Sequence, residues 1–263
     1  MWLNALPLWQ SGLLIVILPT LLAAAGTAFV RRRMRLSWLA ANNEVAGFKF
    51  AVVGVIYAVL LAFAIIVVWE ELNDAEADVA REAGAATNLY RLAAGIEGEP
   101  GLAIRRLVTR YLETAIAEEW PAMARGGSSP AANRALTAIY AGVVAYRPAD
   151  MREQAVMSEM LGQLSALTQA RRERLVKASA LVPGIIWAAL IVGAVVTIGF
   201  TYFFGSRDLR AQMLMTGALT LLICTGLLVI LAIDHPFNGG VRVEPEALVK
   251  VLEDFAHEPP PAR

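Results

Sequence analysis

Charge is scarce in this sequence: Asp, Glu, Lys and Arg make up 17% of its residues, against 57% that are hydrophobic. A soluble globular domain carries about 25% charged and about 45–50% apolar residues. The deficit excludes an ordinary soluble chain and points to several membrane spans. The 23 basic and 23 acidic residues cancel, so no basic surface for nucleic acid is indicated. Cysteine is nearly absent: Cys224 stands alone inside an apolar run, which excludes an intrachain disulfide. Histidine is limited to His235 and His257, too few for a histidine-rich metal centre. No phosphate-cradling glycine loop and no Ser, Cys or His nucleophile pattern occurs. The residues therefore offer no catalytic, cofactor or metal site, and the chain reads as something other than an enzyme.

What is abundant is long apolar runs. A helix crosses the bilayer core with about 20 apolar residues, and four windows reach that length without a charge. "LWQSGLLIVILPTLLAAAGTAFV", Leu8 to Val30, is the first, with a kink expected at Pro19. Phe50 to Trp69 is the second, with Lys49 placed to snorkel at its start. Leu181 to Phe204 and Ala211 to Ile233 complete the set. In the first window the arginines follow the apolar run, the reverse of a signal peptide's charge order, so it reads as an uncleaved span. The expected architecture is all-α. Two transmembrane hairpins, residues 1–69 and 181–233, flank an extramembrane helical bundle over 70–180. Residues 234–263 form a turn, a short amphipathic helix and a Pro-rich tail.

The charge of the short loops sets an expected orientation. The first hairpin loop holds Arg31, Arg32, Arg33, Arg35 and Lys49 against Glu44, and the second holds Arg207 and Arg210 against Asp208. The positive-inside rule puts both loops in the cytoplasm. Both termini and the 70–180 segment then lie outside.

The middle segment shows no strand-like alternation. Leu72, Val79, Ala86 and Ala93 repeat every seven residues, with Ala75, Ala83, Tyr90 and Ile96 between them, a seam of mostly small residues. The Gly-Pro stretch at 97–101 ends it. A second helix is expected over Leu102–Trp120, with Ile104, Leu107, Val108, Tyr111, Leu112 and Ala115 on one stripe. A third is expected over Ala131–Ala145. A fourth starts near Asp150, with Met157, Leu161, Leu164 and Thr168 as its face.

Candidate functional residues fall in three groups. The second span offers Val52, Ile56, Tyr57, Leu60, Phe63 and Ile66 as a pore lining, because an apolar constriction gates by dewetting without any charge. Just beyond it, Glu71, Asp74 and Asp78 share a helical face. They read either as an ion-attracting ring or as a solvated face. Arg171 and Arg174 precede the third span and are placed to pair with that acidic helix, to meet lipid headgroups, or to meet Asp234 at the membrane boundary. Glu118, Glu119 and Trp120 read as a surface helix end. In "DHPFNGG", Pro236 stops a helix and Gly239 permits a turn. Leu248, Val251, Leu252 and Phe255 then give an amphipathic face that suits either the membrane surface or the bundle.

With these segments placed, "GFKFAVVGVIYAVLLAFAIIVVWEELNDAEADVAREA", "RYLETAIAEEWPAM", "RRERL", "VPGIIW" and "IDHPFNGGVRVEPEAL" resemble the bestrophin-like domain-of-unknown-function family of bacterial integral membrane proteins. The similarity covers about residues 46–250 and marks Trp69, Glu119, Trp120, Trp187, Pro236, Phe237 and Gly239 as motif positions. The family name implies a relationship to bestrophins, pentameric anion channels lined by their second membrane helix. The resemblance thus implies a homo-oligomer, a pentamer, with lipids and ions as its partners and no cofactor. It departs in two respects. Bestrophins keep the large segment cytosolic, the opposite of the loop-charge orientation here. Glu253 and Asp254 also fall short of a calcium-sensing acidic cluster. The leading functional reading is an ion channel, anion-selective by the resemblance. The alternative is a non-conducting membrane scaffold or sensor whose bundle binds a partner.

Overall fold

The computed structural model describes residues 7–41, 43–179 and 181–257. Every regular element among them is helical: α1 (Leu8–Gly12), α2 (Leu18–Arg33), α3 (Leu36–Ala41), α4 (Asn43–Ala93), α5 (Glu99–Thr114), α6 (Trp120–Met123), α7 (Pro130–Ala145), α8 (Met151–Val176), α9 (Gly184–Thr201), α10 (Leu209–Ile233) and α11 (Glu246–His257). Among the described residues four stretches are long and apolar enough to cross a membrane: Trp9–Arg33, Asn43–Ala93, Gly184–Thr201 and Leu209–Ile233. The protein is a multi-pass membrane protein. The chain divides into two compact units. The first holds residues 1–70, 180–235 and 239–241, and the second holds 71–179, 236–238 and 242–263.

The membrane unit packs by close approach of small residues, as helices in lipid must when burial from water gives no drive. α10 packs along α2. Tyr57, Ala194 and Ile223 form a buried cluster, with Leu61, Ile198, Leu219 and Leu227 against it. Gly193 lies so close to the Tyr57 ring that a Cβ there would overlap it. The two short inter-span loops are stitched together. Asn43 donates to the Gly205 carbonyl and accepts from its N–H, at 2.9 Å each way. Arg31 donates to the carbonyl of Ser206.

Proline shapes the first span, though by a wider turn and not a simple kink. A π-helical turn, Leu13–Ile17, ends two residues before Pro19. Proline has no N–H and its ring crowds the carbonyl four residues back, and a widened turn relieves both. The same device recurs in the second unit, where the π-helical turn Ala115–Glu119 precedes Pro121 by the same spacing.

The second unit is a helical bundle built on the small-residue seam of α4. Leu72, Ala75, Val79, Ala83, Ala86, Tyr90, Ala93 and Ile96 are all buried. α5 buries Ile104, Val108, Tyr111 and Leu112 and packs on α7. It starts at Glu99, earlier than expected, because Pro100 fits its first turn. Ser129 caps α7, accepting from the N–H groups of Ala131 and Ala132. Asp150 caps α8 through the N–H of Glu153, whose carboxylate takes the N–H of Ala149. The buried face of α8 is Met160, Leu164, Leu167, Ala170, Arg171 and Arg174, turned from the expected Met157–Leu161–Leu164–Thr168 line. A face chosen by apolarity alone omits the two arginines that anchor it. α11 packs on α5, with Phe255 stacked on Tyr90 at 3.6 Å between ring centroids, so the amphipathic face is spent on the bundle.

Candidate functional site

Seven apolar residues of α4 three or four positions apart, Val45, Phe48, Val52, Ile56, Val59, Phe63 and Ile66, share one face of the span. All seven are exposed in the subunit. Of the residues expected to line a pore, Val52, Ile56, Phe63 and Ile66 lie on this face, and Leu60 is half-buried at its flank. Tyr57 does not belong with them. It is 4% exposed, packed on Gly193, and lies about 140° round the helix from Val52 at 3.6 residues per turn. Among the described residues its hydroxyl has no hydrogen-bond partner. Trp69 closes the span with its ring exposed.

Beyond the span the acidic residues separate. Glu71 is half-buried, Asp74 exposed and Asp78 fully buried. Lys177 lies 3.0 Å from Asp78 and 3.9 Å from Asp74. It is not aligned for a hydrogen bond to Asp78, so the attraction is ionic. Arg81 donates to Asp78 and to Glu173 of α8, and the Asp78 bond holds its guanidinium above the ordinary arginine range. Asp74 and Asp78 are thus met by cations of their own subunit. Among the described residues no group of three His, Cys, Asp or Glu side chains is arranged to hold a metal.

One turn further, Glu82 enters a buried network that the sequence reading missed. Arg174, with no exposed side chain, donates from Nε and Nη2 to Glu82 at 2.6 and 2.9 Å, and from Nη2 to Glu119 at 2.9 Å. Arg171 grips Glu119 with Nε and Nη2 at 3.0 and 2.6 Å. The Tyr111 hydroxyl donates to Glu82 at 2.6 Å, and Asn133 accepts from Arg171. The Arg174 guanidinium also lies 4.6 Å from the centroid of the Trp120 ring. Burial alone would drive these ions neutral. Here burial raises the Glu119 carboxyl, but the bonds and charges of Arg171 and Arg174 outweigh it and hold the group below its ordinary value. Arg174 is likewise discouraged by burial, yet Glu82 and Glu119 keep it well above the ordinary arginine range. Burial and then the Glu82 charge push the Tyr111 phenol well above its usual value.

Glu119 and Trp120 are therefore core, not a surface helix end. The turn that ends at Glu119, widened ahead of Pro121, aims its carboxylate inward. Glu118 stays outside and accepts from the Ser129 hydroxyl. The signal for Glu82 was available: it stands three residues after Val79 and four before Ala86, on the apolar seam itself, where a carboxylate needs a partner.

The stretch after α10 resolves into two sets of contacts, one in each unit. In the membrane unit Asp234 is buried. Its carboxylate accepts from the Val182 N–H at 2.7 Å and the Trp187 indole N–H at 3.3 Å, and its carbonyl accepts from the Leu181 N–H. These donors, at the turn before α9, take the place of the expected Arg171 or Arg174, whose partners are Glu119 and Glu82. Burial lowers the pKa of neighbouring His235, against the opposing pull of Asp234. In the bundle unit Phe237 is buried edge-on to Trp120, and the Trp120 indole donates to the Val243 carbonyl at 3.2 Å. Pro236 accepts from the Val243 N–H at 2.7 Å. Gly239 has a φ of 107°, a backbone state that other residues rarely adopt.

Comparison with known proteins identifies this arrangement. The family model of the bestrophin-like domain matches residues 17–248. The chain belongs to the bestrophin-like family. Solved structures agree on the fold at low identity. A point mutant of a bacterial bestrophin homologue from Klebsiella pneumoniae superposes with a TM-score of 0.70 at 15% identity, covering 92% of this chain and 99% of that one. A bestrophin homologue from the same organism, phased on zinc, gives 0.67 at 15% identity over 93% and 99%. A membrane protein carrying a proline-to-alanine change gives 0.64 at 16% over 92% and 98%. No protein of curated function matches the sequence. Of the motif positions, Glu119, Trp120 and Phe237 are buried inside the bundle, and Trp187 is tied to Asp234.

Proposed function

We propose that this bestrophin-like protein is an oligomeric ion channel in which several copies of α4 surround an axial pathway. The observation that carries the reading is the face from Val45 to Ile66, which the subunit's own helices leave uncovered along the whole span. Val52, Ile56, Phe63 and Ile66 then line the pathway, with Leu60 at its edge and Tyr57 in the wall behind. A lining without charge gates by dewetting, closing when the apolar ring expels water. The resemblance to bestrophins favours a pentamer and anions, and loop charge favours an extracytoplasmic bundle in a bacterial inner membrane.

Recording from purified protein in planar bilayers tests the proposal. Unitary currents under an ion gradient are expected, and Phe63→Ala should change their conductance. Silence under every gradient, with the oligomer intact, rejects conduction in favour of a scaffold or sensor. Currents unaltered by Phe63→Ala remove α4 from the pathway.

A further inference from the structure

Residues 31–49 and 205–210 carry more positive charge than the fold consumes. Arg31 is committed to structure, donating to the Ser206 carbonyl and, at 3.4 Å, to that of Arg207. The reciprocal Asn43–Gly205 bonds fix the second loop on the first. Gly205 backs onto Leu39 and Ala40 so closely that a Cβ would sit 2.6 Å from the Ala40 nitrogen. The loops therefore form one platform and not two independent tethers. Of the two acids they contain, Asp208 is occupied in capping α10 through the N–H groups of Arg210 and Ala211. Arg32, Arg33, Arg35, Arg207 and Arg210 are all exposed. Among the described residues no carboxylate forms an ion pair with any of them.

The surroundings say what these guanidinium groups meet. Arg32 and Arg33 end one span, and Arg207 and Arg210 flank the start of another, so all stand at headgroup depth. Large apolar side chains are exposed at the same span ends: Phe29 at 61% and Phe203 at 50%, with Trp38 of the short helix α3 at 51%. Arg33 lies over the Phe29 ring at 5.5 Å. Tryptophan with basic residues at a span's end is the composition of a membrane–water interface. A ligand that answers both halves has an anionic phosphate and acyl chains.

We propose that the stitched loops are a binding platform for anionic phospholipid. Arg32, Arg35, Arg207 and Arg210 hold its phosphate, and its acyl chains lie along Phe29 and Phe203. Guanidinium forks suit phosphate oxygens, and each basic residue near an anionic surface strengthens attachment severalfold. The proposal does not depend on conduction.

Thermal unfolding of the full chain in neutral detergent, titrated with phosphatidylglycerol or with phosphatidylcholine of the same acyl chains, tests it. Phosphatidylglycerol should raise the midpoint, phosphatidylcholine should not, and 1 M NaCl should erase the difference by screening. The variant R32Q/R35Q/R207Q/R210Q should need at least about tenfold more phosphatidylglycerol for the same shift, while unfolding as the parent does without lipid. Equal stabilisation by the two lipids, or persistence of the preference in 1 M NaCl, overturns the proposal. An undiminished response in a folded variant overturns it too. So does an equal shift from inorganic phosphate, which would mark a free-anion site. Should the variant not fold, the headgroup and salt comparisons on the parent protein still decide.

Discussion

Arg174 shows how much of the bundle rests on a few ions. Its guanidinium satisfies two buried carboxylates and covers an indole face, and nothing in that pocket could be solvated if it left. Replacing it with leucine strands Glu82 and Glu119 without their shared cation. Loss of one partner of a buried pair costs about 3–5 kcal/mol, so Arg174→Leu should lower bundle stability by that order, read as an early unfolding transition in Trp120 fluorescence. The same network fixes an acid sensitivity. The carboxyl of Glu119 has its folded pKa below its unfolded value, which is about 4.3 for glutamate. Its contribution is therefore fully present above that pH and is lost as pH falls through the folded value. Stability measured by denaturant at stepwise lower pH should drop below about pH 4, and Glu119→Gln should flatten that drop. None of this was legible in "ARRERL" as a string. Composition marks arginines as surface residues, and only the register of α8 against α4 and α5 turns two of them inward.

Among the elements, α4 and α9 approach closely where Gly193 meets the Tyr57 ring. Alanine in place of Gly193 would gain about 1 kcal/mol of helix propensity, yet its methyl meets the Tyr57 ring. Overpacking typically costs about 1–3 kcal/mol. Gly193→Ala should therefore destabilise the protein in detergent, and in a Tyr57→Ala background the same change should become neutral or stabilising. Thermal unfolding of the four variants checks the reversal of sign. The four spans were readable from apolar runs, and the cap at Asp150 from residue type. The two π-helical turns were not. A proline signals disruption four residues upstream, but whether a helix kinks, stops or widens depends on what the displaced side chains can reach. Glu119 reaches arginines.

At the scale of the molecule, α4 serves both units, spanning 51 residues without a break. The loop-charge rule and the bestrophin resemblance give opposite orientations for the segment it enters, and labelling separates them. Cys224 is the chain's one cysteine and is buried, so Ser128→Cys in a Cys224→Ser background gives a single exposed thiol. Impermeant maleimide should modify it in intact cells if the bundle is extracytoplasmic. Labelling only after lysis reverses the orientation. The sequence by itself determined the membrane class, the number of spans and the family, because these follow from local apolar length and from motif order. Tertiary structure alone decided which charges are core, which face of α4 is left uncovered, and that Asp234 holds the turn before α9. Those properties depend on which groups meet across long separations in the chain, and pairing, unlike length or periodicity, is not a property of any one segment.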